Sequence, residues 1–171
     1  IQQLGFCALL VAVMMSACTT DKPERIAYNP AYDAYISAYT QGEISKKSPI
    51  LLRFAQPVVQ DVRTPVPSGV FSIEPQVEGD LRWVDERTLE FKPIKDLTSG
   101  TIYTASVRMD KLVRDIGSEL ANFQFQFRAK QQFVNVSPLA ATASEDGGEK
   151  YMRLQGKLQT HDVEEAKRVE E

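Results

Sequence analysis

Residues 122–128 read Asn-Phe-Gln-Phe-Gln-Phe-Arg, with apolar and polar side chains in strict alternation. A period of two places Phe123, Phe125 and Phe127 on one face of a strand and Asn122, Gln124, Gln126 and Arg128 on the other. The same pattern recurs upstream. Ile50, Leu52 and Phe54 alternate with Leu51, Arg53 and Ala55, and Phe71 and Ile73 with Ser72 and Glu74. Leu81 and Trp83 form another pair, and Leu89 and Phe91 alternate with Thr88, Glu90 and Lys92. Tyr103, Ala105, Val107 and Met109 alternate with Thr104, Ser106 and Arg108. Turn chemistry separates these stretches at Gln56-Pro57, Pro67-Ser68-Gly69, Glu78-Gly79-Asp80, Ser99-Gly100 and Asp115-Ile116-Gly117. Short half-buried strands at close spacing, with no helices between them, predict an all-β fold, an antiparallel sandwich.

The flanks read differently. Tyr28, Tyr32, Tyr35, Ile36 and Tyr39 recur at three-to-four-residue spacing, which predicts a short helix over 29–42. Asn29 caps it, Pro30 suits its first turn, and Gly42 sits where a left-handed residue closes a helix. Such a tyrosine stripe is expected to pack on its own domain rather than to stack a ligand. After Lys130 a second β-rich unit begins. Phe133, Val134 and Val136 predict a short strand stopped by Pro138, followed by a loop or hairpin tip over 140–150. Met152, Leu154 and Leu158 predict a further strand, and Asp162 with Glu165 has the form of a capping box opening a helix. The apolar residues of this unit are too few to bury a core alone.

The N-terminus carries an address. Residues 5–17 are apolar apart from Ser16, shorter than a bilayer span, and end in the small residues Ser16-Ala17. That is the shape of a signal peptide. Of two cysteines, Cys7 lies inside the apolar run and would leave with it, so one thiol, Cys18, remains at the first mature position. Met15-Ser16-Ala17-Cys18 resembles the bacterial lipoprotein signal, which implies a lipidated Cys18 that anchors the protein to a membrane. Stable attachment needs more than one acyl chain, at about 0.8 kcal/mol per buried methylene. The polar stretch from Thr19 to Arg25 reads as a tether.

The 171 residues carry a formal charge of −3 with no basic run, so no nucleic-acid partner is expected. His161 is the only histidine and lacks a neighbouring ligand for a metal. No nucleophile elbow and no Gly-rich phosphate cradle occurs. Asp85, Glu86 and Glu90 lie on a turn and an outward strand face, and Asp110 and Asp115 lack calcium-loop spacing. These observations predict no catalytic residue, no metal, no cofactor and no enzymatic activity.

Several phrases resemble the first domain of bacterial α2-macroglobulins. They are Tyr35-Ile36-Ser37-Ala38-Tyr39-Thr40-Gln41-Gly42-Glu43-Ile44-Ser45, Ser48-Pro49-Ile50 and Arg53-Phe54. Further along come Trp83-Val84-Asp85, Arg87-Thr88-Leu89-Glu90-Phe91-Lys92-Pro93 and Leu97-Thr98-Ser99-Gly100-Thr101-Ile102-Tyr103-Thr104. The resemblance implies an Ig-like, macroglobulin-like sandwich in the membrane-proximal stem of a lipoprotein that traps target proteases. In that family the covalent trap uses a Cys-x-Glu-Gln thioester, and no such motif occurs here. The expected organisation is a signal peptide over 1–17 and a tether over 18–28. The helix and first sandwich follow over 29–129, and a second, truncated macroglobulin-like domain begins at 130–171. Thr19 in place of Asp after the cysteine implies the outer membrane, facing the periplasm. Two other readings use the same modules: an Ig-like scaffold or adhesin of the cell envelope, and a lipoprotein hydrolase with an accessory sandwich.

Overall fold

The computed structural model describes residues 26–165, so the export segment and Cys18 lie outside the described residues. Eight strands form two four-stranded sheets. In chain order they are β1 (Ile36–Tyr39), β2 (Gly42–Ile44), β3 (Ile50–Phe54), β4 (Phe71–Glu74), β5 (Gly79–Asp85), β6 (Thr88–Pro93), β7 (Ile102–Arg108) and β8 (Asn122–Ala129). One sheet has the order β1-β3-β6-β5 and the other β2-β8-β7-β4. All pairings are antiparallel except β2 with β8. The inner faces meet in one core built from the alternating residues: Ile50, Leu52 and Phe54 of β3, Leu89 and Phe91 of β6, and Tyr103, Ala105 and Val107 of β7. Phe123, Phe125 and Phe127 of β8 complete it. Each buries its side chain because its neighbours, one residue away, take the solvent side. The fold is an all-β sandwich.

The expected helix over 29–42 is corrected. Only Pro30–Ala34 is helical, as a 3-10 turn capped by the Asn29 side chain, which accepts the Ala31 N–H at 3.0 Å. The next residues form β1, where Ile36 and Tyr39 pair with Phe54 and Leu52. Ladder bonds and burial of Ile36 against the core outweigh the local spacing, a tertiary override of a weak local preference. Gly42 does adopt a left-handed φ of 74°, but as the bend by which the chain leaves one sheet for the other.

Beyond the sandwich, β9 (Val134–Asp146) and β10 (Glu149–Thr160) form a two-stranded antiparallel ribbon. The short strand expected to stop at Pro138 is thus corrected to a strand of 13 residues. Proline is tolerated because a ribbon has free edges, and the register shifts beside it between Gln155 and Gly156. Gly147 and Gly148, at φ 60° and 88°, supply the two left-handed residues of a tight hairpin turn. The helix expected to open at Asp162 does not begin within the described residues; Asp162 is bonded elsewhere, as shown next.

Candidate functional site: the ribbon, its root and the tyrosine seam

Paired residues in an antiparallel ribbon share a face. Met152 lies opposite Ala143, Leu154 opposite Ala141, Gly156 opposite Pro138 and Leu158 opposite Val136. The reverse face carries Arg153 with Thr142, Lys157 with Ser137 and Gln159 with Asn135. One face is therefore apolar and the other polar. The apolar one is open to solvent, with Leu154 74% and Met152 68% exposed.

The ribbon is fixed at its base. Phe133 and His161 stack with centroids 4.3 Å apart, and the His161 N–H donates to the Phe133 carbonyl. Behind them the Gln132 side chain accepts the Asp162 N–H at 2.8 Å and donates to the Glu164 carboxylate at 3.1 Å. Buried Asp162 accepts the Lys46 N–H at 2.7 Å and the Val163 N–H at 2.8 Å. Lys46 stands on the turn between β2 and β3. Its side chain is only 8% exposed and reaches Glu164 at 2.9 Å and Asp96 at 3.5 Å. A buried ammonium is costly unless partnered, and here two segments distant in sequence, at Asp96 and Glu164, supply the partners. The root is thus a polar joint.

Burial by itself raises the Asp162 carboxyl. The Ser45 hydroxyl and the N–H groups of Lys46 and Val163 outweigh it and hold the group below its ordinary value. The Glu164 hydrogen bond holds the Lys46 ammonium above its usual range against the opposing effect of burial. Because the carboxyl is depressed in the folded state, its stabilisation is complete above about pH 4 and lost as pH falls through the folded value. The raised ammonium stabilises fully below about pH 10 and ceases to do so as pH rises through its folded value. Acid is therefore expected to lower the protection of the His161 and Asp162 amides, measured against the intrinsic exchange rate at each pH, before that of Phe125 in β8. At neutral pH, Lys46→Met is expected to do the same, by about 2 kcal/mol. That is below the roughly 3–5 of a fully buried pair, since Asp96 is partly open to water and Glu164 keeps Gln132.

On the opposite flank the tyrosines close a seam between the sheets. Tyr32 packs edge-on against Phe123 at 4.8 Å and donates its hydroxyl to the Asn122 carbonyl at 2.8 Å. Tyr39 meets Phe123 at 5.2 Å and Phe125 at 5.4 Å. Tyr28 stacks on Tyr39 and donates to Asp33, a bond that pushes its phenol up to about 12. The stripe packs on its own domain, although on a 3-10 turn and a strand.

Of the carboxylates considered for chemistry, Asp85, Glu90 and Asp110 are held in ion pairs. Asp85 accepts the Arg87 N–H at 2.7 Å and bonds Thr88 and Arg53, Glu90 pairs with Arg82, and Asp110 with Arg108. His161 lies in the root, stacked on Phe133. Among the described residues no group of three or more His, Cys, Asp or Glu could hold a metal ion. Sequence reasoning missed the Lys46–Asp162 joint, whose members are 116 residues apart and carry no local signal.

No protein-family model and no curated protein matches the chain. Solved structures that it resembles include an L,D-transpeptidase from Mycobacterium smegmatis, 16% identical with a TM-score of 0.41, covering 73% of this chain and 50% of that one. L,D-transpeptidase 3 from Mycobacterium tuberculosis is 13% identical at a TM-score of 0.39, over 70% of this chain and 48% of that one. Another L,D-transpeptidase from Mycobacterium tuberculosis is 11% identical at 0.39, over 73% and 50%. This chain spans about half the length of the solved chains it matches. These proteins are enzymes, which overturns the expectation, drawn from the lack of a nucleophile or metal motif, that enzymatic activity is absent. With TM-scores below 0.5, the likeness gives no residue of this chain a role.

Proposed function

We propose that this chain is the membrane-proximal part of a lipid-anchored cell-envelope protein of the bacterial α2-macroglobulin type, which traps proteases. The observation that carries the reading is the ribbon. It is clamped to the sandwich by the Lys46–Asp162 joint, while its apolar face around Met152 and Leu154 stays uncovered. A free amphipathic ribbon is marginal in water, and two layers are needed to bury an apolar face. β9 and β10 are therefore the first strands of a second β-module stacked in series on the first. Serial sandwiches are what the resemblance in 35–54 and 83–104 implies, and a lipidated Cys18 places the series on the outer membrane, facing the periplasm. An Ig-like envelope scaffold would use the same modules, and one experiment separates the two.

The test is incubation of the full-length protein with trypsin. A trap encloses the protease, so cleavage of a large protein substrate is expected to fall while hydrolysis of a small chromogenic peptide persists. Unchanged activity on both substrates would favour the scaffold and end the proposal. Equal loss on both would indicate an ordinary active-site inhibitor, and would end it too.

A further inference from the structure

Strand β8 is 8 residues long, yet its neighbour β2 covers only residues 127–129 of it. Upstream of Gly42 the chain belongs to the other sheet, where the Thr40 N–H donates to the Leu51 carbonyl. Backbone alternation tells which groups this departure leaves open. The Ala129 N–H donates to the carbonyl of Thr101, just before β7, whereas the Lys130 N–H donates to Ile44 of β2. Counting back in twos, Arg128, Gln126, Gln124 and Asn122 turn their backbone polar groups toward the β2 side. The Tyr32 hydroxyl on the Asn122 carbonyl agrees with that direction. Among the described residues no strand pairs with 122–126 on this side. Beside the gap runs a groove of about 810 Å³, lined by Tyr28, Tyr39, Gln41, Glu43, Gln124 and Gln126 among others. Its volume lies within the roughly 300–1,000 Å³ of clefts that hold ligands.

An open sheet edge is a template for another strand. We propose that the β8 edge takes up an extended peptide segment of a partner protein as an added strand in line with β2. The backbone N–H groups of Gln124 and Gln126 and the Gln124 carbonyl supply the main-chain bonds. Alternate side chains of the guest fall on the Tyr28–Tyr39 side, which selects an apolar or aromatic residue there. The rim carries one acid, Glu43, and one base, Arg128, so an uncharged segment suits it. The Gln124 and Gln126 side chains stay tied to Ser106 and Thr104 on the outer face of the sheet, at 3.0 and 3.2 Å, and need not move.

The test is residue-resolved amide exchange on the full chain, with a short capped peptide of alternating threonine and valine as probe. The Gln124 and Gln126 amides are expected to exchange freely alone and to become protected at saturating peptide. Gln124→Pro deletes the outward N–H without touching the β7 ladder, and is expected to weaken binding about tenfold. Gln124→Ala keeps the backbone and is expected to bind like the parent. A peptide N-methylated at alternate residues, which leaves the protein untouched, is expected not to bind. The proposal fails if both amides are protected without peptide, because the chain or a second copy then covers the edge. It also fails if saturating peptide protects neither amide, if the methylated peptide binds equally, or if the alanine variant loses as much affinity as the proline one.

Discussion

Phe123→Ala is expected to destabilise the sandwich by about 3–5 kcal/mol in urea or thermal unfolding. The ring is 1% exposed and sits where the two sheets meet on the tyrosine flank. Its ring centroid lies 4.8 Å from that of Tyr32, 5.2 Å from Tyr39 and 5.6 Å from Phe125, so truncation leaves a space among three rings. Small domains have a total stability of about 5–15 kcal/mol, so the change removes a large fraction of it. Phe123→Leu keeps most of the volume and is expected to cost below about 1.5 kcal/mol. Truncation should also loosen Tyr32 and Tyr39, whose rings lean on it, and raise amide exchange in β1. A loss below about 1 kcal/mol for the alanine variant would mean that the seam is not part of the core.

That seam illustrates what a sequence can and cannot disclose. Phe123, Phe125 and Phe127 are legible because the strand period is exact and each strand face is read locally. Tyr32 to Tyr39 misleads because three-to-four spacing also arises when a 3-10 turn runs into a strand. Only the pairing of Ile36 with Phe54, a long-range event, decides between them. Pro138 misleads in the same way: it forbids a ladder donor, yet a ribbon edge needs none at that position. The Lys46–Asp162 joint was invisible because Asp162, followed by Glu165, imitates a helix cap. Its carboxylate in fact satisfies the backbone of a turn on the far side of the chain. Local spacing pointed to a helix cap, whereas the carboxylate accepts the Lys46 and Val163 N–H groups. The β8 edge needed topology, since an open strand edge is defined by which strand is absent.

Cys18→Ala is expected to abolish incorporation of labelled palmitate and to move the protein from the membrane fraction to the soluble fraction, or to leave it with its leader uncleaved. The effect is all-or-none for a physical reason. One acyl chain holds a protein only marginally, and firm attachment needs several, at about 0.8 kcal/mol per buried methylene. In the lipoprotein signal that Met15-Ser16-Ala17-Cys18 resembles, the sulfur carries the diacylglyceryl group, and a third chain depends on the same residue. Deleting one sulfur therefore removes the whole anchor. Cys18→Ser, which keeps size and polarity without a thioether, is expected to behave as the alanine variant does. Cys7→Ala is expected to change nothing, because Cys7 lies inside the apolar run over 5–17. Thr19→Asp tests the sorting reading separately, with a shift from outer to inner membrane expected while palmitate labelling persists. Labelling that survives Cys18→Ala, or vanishes with Cys7→Ala, would remove the anchor from this account and leave the sandwich and its ribbon without a surface to stand on.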